Sequence, residues 1–172
     1  MKKMNNKGFS LVELIIVIAI MAILAGAIAP ALIRYIDQSR KSNDVSSCKT
    51  IKTAVETAMA NEETYEALTN GSAGSKIFIA PGVSTSAGGG VYLVGATGST
   101  TAQSDAKTEI GANIGEKTPK IKYKKNNCLS FMVEITGQGT VKVGLSKTAA
   151  ASGATGTAMD YEISPEMHKE YQ

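Results

Sequence analysis

Hydrophobic and polar positions divide the chain into stretches of different period. Residues 14–33 are 20 positions without a charged side chain, apolar on every side of a helix. Twenty residues at about 1.5 Å each reach about 30 Å, the thickness of bilayer hydrocarbon. Polar residues then enter, with Tyr35, Asp37, Arg40, Lys41 and Asp44 among them. Val45, Cys48, Ile51, Val55, Ala58 and Met59 return at helical spacing, marking one buried stripe. No stop signal separates the two stretches, so the pattern predicts one helix from about Ser10 to Asn61, about 75 Å long. Gly26 and Pro30 weaken it locally, and Pro30 lacks the usual backbone donor. A bend or partly melted turn is expected there, unless the proline is simply tolerated, as it often is in membrane helices.

Past residue 61 the signals shorten. Glu62 to Leu68 continue or repeat helix, and Asn70, Gly71, Ser72, Gly74 and Ser75 read as a stop. Residues 76–80 and 91–94 are short apolar candidates, separated by Pro81-Gly82 and by Gly88-Gly89-Gly90. The three glycines have no Lys-Ser/Thr after them and are read as a loop, not a phosphate cradle. Residues 95–117 read as a polar, glycine-rich surface connection holding a small ordered segment. Period-two alternation dominates later. In residues 120–124, Ile121 and Tyr123 face one way and the lysines the other; Leu129, Phe131, Val133 and Ile135 alternate too. Gly137-Gln138-Gly139 turns the chain into Val141 and Val143. Three antiparallel strands fit, the last two as a hairpin, with Tyr161 and Ile163 as an edge strand or a loosely anchored tail. The helical stripe of 45–59 supplies the cover this sheet needs, so the expected fold is α+β.

Charge sharpens the reading of the N-terminus. The net charge is +3, from 18 basic and 15 acidic side chains, but Lys2, Lys3 and Lys7 precede the apolar run, and without them the two signs balance at 15 each. The excess belongs to a short leader that would keep the N-terminus cytoplasmic. A secretory signal would be shorter and followed by a small-residue cleavage site; here Glu13 lies at the start of the run, which passes into a polar helix. The run therefore reads as a permanent anchor.

The segment Lys7-Gly8-Phe9-Ser10-Leu11-Val12-Glu13-Leu14 resembles the class III signal of type IV prepilins and the related pseudopilins. The resemblance covers residues 7–35 in detail. It implies an α+β pilin-like fold, a membrane-embedded prepilin peptidase that cuts between Gly8 and Phe9 and methylates the new Phe9 amine, and a mature chain of 164 residues. It gives Glu13 and Pro30 the family's near-terminal glutamate and helix-disrupting proline; the family's second proline has no counterpart in 44–61. It implies organisation as leader 1–8, helix 9–61 (assembly stem 14–33, amphipathic half 34–61) and outer domain 62–172. Its implied partners are further copies in a helical filament, the peptidase and methyltransferase, membrane assembly machinery and minor pilins. Location would be the cytoplasmic membrane, then an extracellular filament. Glu13 would pair with the Phe9 amine of a neighbouring copy. The alternative reading is a glutamate that only caps N–H groups at the helix start.

Other chemistry is sparse. Cys48 on the helical stripe and Cys128 before a strand could meet in a disulfide, or be two small buried hydrophobes; the spacing departs from the C-terminal disulfide loop of Gram-negative relatives. One isolated histidine, His168, and scattered acids offer no catalytic set, no metal site and no need for a cofactor. Lys117, Lys120, Lys122, Lys124 and Lys125, joined by Lys142, form a candidate patch for a host surface or anionic polymer, or simply a solvated strand face. Three functions follow: a major or abundant pilin serving adhesion, aggregation, motility or biofilm; a pseudopilin of a secretion or DNA-uptake system; or a monomeric membrane-anchored binding protein.

Overall fold

Helix α1 (Leu11–Ala58) opens on the local chemistry of Ser10 and Glu13, where the Ser10 N–H donates to Glu13 Oε2 at 2.9 Å. That is the glutamate half of a capping box. The computed structural model describes residues 10–69, 74–95, 100–151, 154 and 159–172. α1 is helical through Gly26 and Pro30 without interruption, so the melted turn is absent and the proline is tolerated within the helix. It stops at Ala58, three residues short of Asn61. There Ala60 and Asn61 donate to Thr57 and Ala58, tightening the last turn, and Asn61 Oδ1 accepts the Glu63 N–H at 3.0 Å. Asn61 thus serves as the cap of a new helix, α2 (Glu62–Thr69), and cannot extend the old one.

The chain forms two compact units, Met1–Ser39 and Arg40–Gln172. The described part of the first is helix whose large apolar side chains, from Leu11 to Ile36, are all exposed. In the second, a sheet of order β2-β1-β3-β4-β5, antiparallel throughout, is built from β1 (Ser75–Ile79), β2 (Val91–Val94), β3 (Ser130–Ile135), β4 (Val141–Ser146) and β5 (Tyr161–Ser164). The expected stripe covers it: Val45, Cys48, Ile51, Val55 and Ala58 share one core with Ile77, Ile79, Phe131, Val133, Val143 and Leu145. Each fully buried aliphatic side chain stabilises by about 1.5–3 kcal/mol relative to exposure. The β3–β4 hairpin turns where expected, with the Gly139 N–H donating to the Thr136 carbonyl at 2.9 Å and Gly139 at φ +79°. Tyr161 and Ile163 lie in the edge strand β5, paired to β4.

Two expectations are corrected. Residues 120–124 are not a strand. Their alternation is real, since Tyr123 is buried and Lys120, Lys122 and Lys124 are exposed, but the Lys122 and Tyr123 N–H groups donate to the carboxylate of Asp44, at 2.7 and 2.9 Å. A side chain of α1 therefore replaces the neighbouring strand. Within 95–117, residues 100–114 form a 15-residue helix, α3 (Thr100–Ile114), larger than the small ordered segment expected. Ala106 and Ile110, four apart, are its buried apolar contacts. It is tied to α2 by Thr64 Oγ1 donating to Glu109 Oε2 at 2.8 Å.

The glycine run makes this packing close. A Cβ on Gly88, which sits at φ +71°, would stand 2.9 Å from Lys107 Cβ and 3.0 Å from the Lys107 carbonyl carbon. Gly88→Ala should therefore lower unfolding free energy by about 1–3 kcal/mol through backbone strain and overpacking against α3. Urea titration of the detergent-solubilised chain measures it, and a midpoint equal to wild type would contradict this role for the loop.

Candidate assembly site

The described candidate assembly residues, Glu13 and Pro30, lie in the first unit. An 18-residue window of α1 has mean hydropathy 2.9 and none of it is buried, which by length and composition suffices to cross a membrane. Glu13 sits in the first turn of this surface, with one carboxylate oxygen on the Ser10 N–H. An ionised carboxylate has further acceptor sites beyond that bond. Capping and pairing are therefore compatible roles. Pro30 lies in the same exposed stretch. Gly8 and Phe9, the expected processing residues, lie outside the described residues, as do Asn70, Gly71 and Ser72.

In the second unit, Asp44, Lys41, Tyr123, Glu170 and Tyr171 tie α1 to the outer chain. Asp44 is fully buried, and burial pushes its carboxyl above the ordinary value, against the opposing pull of the Lys122 and Tyr123 N–H bonds. Lys41 Nζ lies 3.2 Å from Glu170 Oε1 and 4.9 Å from the centre of the Tyr123 ring. The hydrogen bond and charge of Lys41 hold the Glu170 carboxyl below the usual range. Tyr171 is buried, edge-on to Tyr123 at 6.0 Å and to Tyr161 at 5.8 Å. Burial pushes its phenol up, with the charges of Cys128 and Asp44 adding to it. The isolated His168 is exposed, and its Nδ1 accepts the Glu170 N–H at 3.1 Å. None of these ties had a periodic signal in the sequence. Asp44 precedes the first stripe residue, Val45, and that adjacency is the single clue to it.

The disulfide expectation is corrected: Cys48 and Cys128 are both free thiols. Cys48 is wholly buried in the core and Cys128 is packed against it, but the Cys128 thiol turns to the Asn126 carbonyl, 3.8 Å away. Proximity to one core does not supply the narrow geometry of an S–S bond. Burial pushes both thiols up, Cys128 to about 11, so neither forms a reactive thiolate near neutrality. The reading as small buried hydrophobes describes Cys48.

The candidate lysines are spread out. Lys120, Lys122 and Lys124 project from the extended segment, with Lys125 in the turn after it, and Lys117 bridges to Ser84. Lys142 stands on β4, opposite Glu134 in register and 3.7 Å from Glu162. Among the described residues, no group of three or more His, Cys, Asp or Glu side chains could hold a metal ion.

Comparison with known proteins bears on the N-terminal third. Residues 3–29 match the family model of the prokaryotic N-terminal methylation motif. The chain is 34% identical over 66 residues to the type IV major pilin protein PilA of Myxococcus xanthus, covering 38% of this chain and 30% of that one. It is 38% identical over 69 residues to the prepilin peptidase-dependent protein A of Clostridium perfringens (40% and 49% covered). It is 44% identical over 59 residues to fimbrial protein Q of Moraxella bovis (34% and 38% covered). The chain spans less than half the length of these relatives. No solved structure matches. With a methylation motif laid over the residues that carry Glu13, and an exposed apolar helix behind it, the N-terminal third of the chain carries the signature of prepilins and type IV pilins.

Proposed function

We propose that the chain is a major or abundant structural subunit of a type IV pilus. In this reading a prepilin peptidase removes residues 1–8 and methylates Phe9. Residues 14–33 hold the subunit in the cytoplasmic membrane until assembly machinery passes it into an extracellular filament, in company with minor pilins. Many copies of helix 9–61 then form the filament core, with Glu13 meeting the Phe9 amine of a neighbour and residues 62–172 outside. The observation that carries this is the exposure of the whole apolar half of α1, with a carboxylate at its first turn. Intramembrane carboxylates are rare, and their expense makes a partner the expected reason for them. Likeness to this family favours a structural subunit over a catalyst, and the names of the pilin and fimbrial relatives favour a displayed filament over a pseudopilus.

Intact mass and N-terminal peptide sequencing of material sheared from cells test the proposal. A chain beginning at N-methylated Phe9 in a filament fraction is expected, with long filaments under the electron microscope. A chain that keeps residues 1–8 and stays in membranes would overturn it in favour of an anchored binding protein. Short stubs would point to a pseudopilus.

A further inference from the structure

Many charges of the unit Arg40–Gln172 are matched within it: Lys52 lies 3.8 Å from Glu56, Lys76 3.5 Å from Glu134, and Lys142 3.7 Å from Glu162. Two groups stand apart from these pairs, at opposite ends of β1 and β3. At one end α2 exposes Glu62, Tyr65 and Glu66, spaced i, i+3, i+4 and so sharing a face. Tyr65 is 39% exposed, and its hydroxyl would be 3.0 Å from a Cβ placed on Gly139, at the turn where β3 has just ended. At the other end, past Ile79 of β1 and before Ser130 of β3, Pro81, Ile121 and Leu129 line an open groove of about 430 Å³, with Lys120 and Lys124 also lining it. Leu129 is 54% exposed. Among the described residues, Glu62, Glu66, Lys120 and Lys124 make no ion pair.

We propose that the acidic, tyrosine-bearing face of α2 in one copy docks in the lysine-flanked groove of the next copy. The inference rests on the filament reading above and adds to it a contact outside the helical core. Tyr65 offers a large amphipathic ring to an apolar groove while keeping its hydroxyl at the polar edge. Glu62 and Glu66 then face Lys120 and Lys124, whereas contact between like ends would set acid against acid or lysine against lysine. A contact between two different surfaces, at opposite ends of the strands, repeats into an open series instead of closing on a pair. Exposed charges of this kind set register and partner choice more than affinity, so apolar packing of α1 remains the principal cohesive term.

The test expresses the full chain as Glu62→Lys with Glu66→Lys, as Lys120→Glu with Lys124→Glu, and as all four together. Each half-reversed chain should lower sheared filament yield roughly tenfold, and the fourfold swap should recover most of it. Unchanged yield in the half-reversed chains, or no recovery in a swap that is processed at Phe9 and present in membranes normally, would overturn the docking proposal while leaving the filament reading intact. Failure of the wild-type chain to enter filaments would sink both. As an independent measurement, Tyr65→Cys with Leu129→Cys should yield a ladder of trimers and longer species when filaments are treated with a short bismaleimide. Filaments that give only monomer and dimer would overturn the proposal.

Discussion

A Glu13→Ala chain is expected to be cut after Gly8 and retained in the membrane, yet to fall by about a hundredfold or more in the sheared filament fraction. Removing one partner of a buried charge pair leaves the other uncompensated, at a cost of about 3–5 kcal/mol. If Glu13 only capped the Ser10 N–H, the loss would be about 1 kcal/mol, close to a fivefold effect. Glu13→Gln separates the two roles. It retains an oxygen that can accept the Ser10 N–H, seen here at 2.9 Å, but carries no charge for a neighbouring Phe9 amine. Immunoblots of sheared and membrane fractions should show the Gln chain as deficient as the Ala chain. Normal incorporation of the Gln chain would sink the pairing role.

The largest expected stability effect lies at Asp44. Asp44→Ala leaves the Lys122 and Tyr123 N–H groups without their acceptor beside a buried tyrosine. At about 1–3 kcal/mol for each of the two unsatisfied donors, the loss is about 2–6 kcal/mol, a large share of an ordinary domain's stability of about 5–15 kcal/mol. Urea denaturation of the detergent-solubilised chain reads it, and a difference within about 0.5 kcal/mol would contradict the assignment. The pH dependence has a definite sign. Burial raises the folded carboxyl above its unfolded value, so between the two values the native state binds more protons than the unfolded state. This contribution is fully present below the unfolded value, is lost as pH rises through the folded one, and is flat above it. Asp44→Asn, which cannot ionise, should lack that slope.

What the sequence made legible follows the physics of its signals. The stripe of Val45, Cys48, Ile51, Val55 and Ala58 and the hairpin of β3 and β4 rest on strong apolar periodicity, and both stand in the structure. The helix at 100–114 was larger than its signal because its buried apolar residues are only Ala106 and Ile110, and Ala106 is small, so burial there leaves little hydropathy contrast. Alternation in 120–124 correctly separated inner from outer side chains. It carries no information on what accepts the backbone N–H groups, and the acceptor proved to be a carboxylate 78 residues earlier. Cys48 and Cys128 were correctly brought to one core, but bond formation depends on side-chain geometry that spacing does not encode. At the assembly site, the methylation motif was the most legible feature, and Glu13 gained a structural partner in Ser10.

The burial of Tyr171 has a consequence in time. Glu170 holds Lys41, and Tyr171 packs beside Tyr123, so the cover over the inward stripe of α1 is completed by residues about 130 positions later. A ribosome adding about 5–20 residues per second needs roughly 6–26 s to make that stretch. Throughout this interval the nascent chain presents an apolar stripe with its final contacts still unsynthesised. The stripe needs a shield during synthesis, from bilayer or chaperone, and closure of the outer unit is set by the arrival of its last aromatic residue.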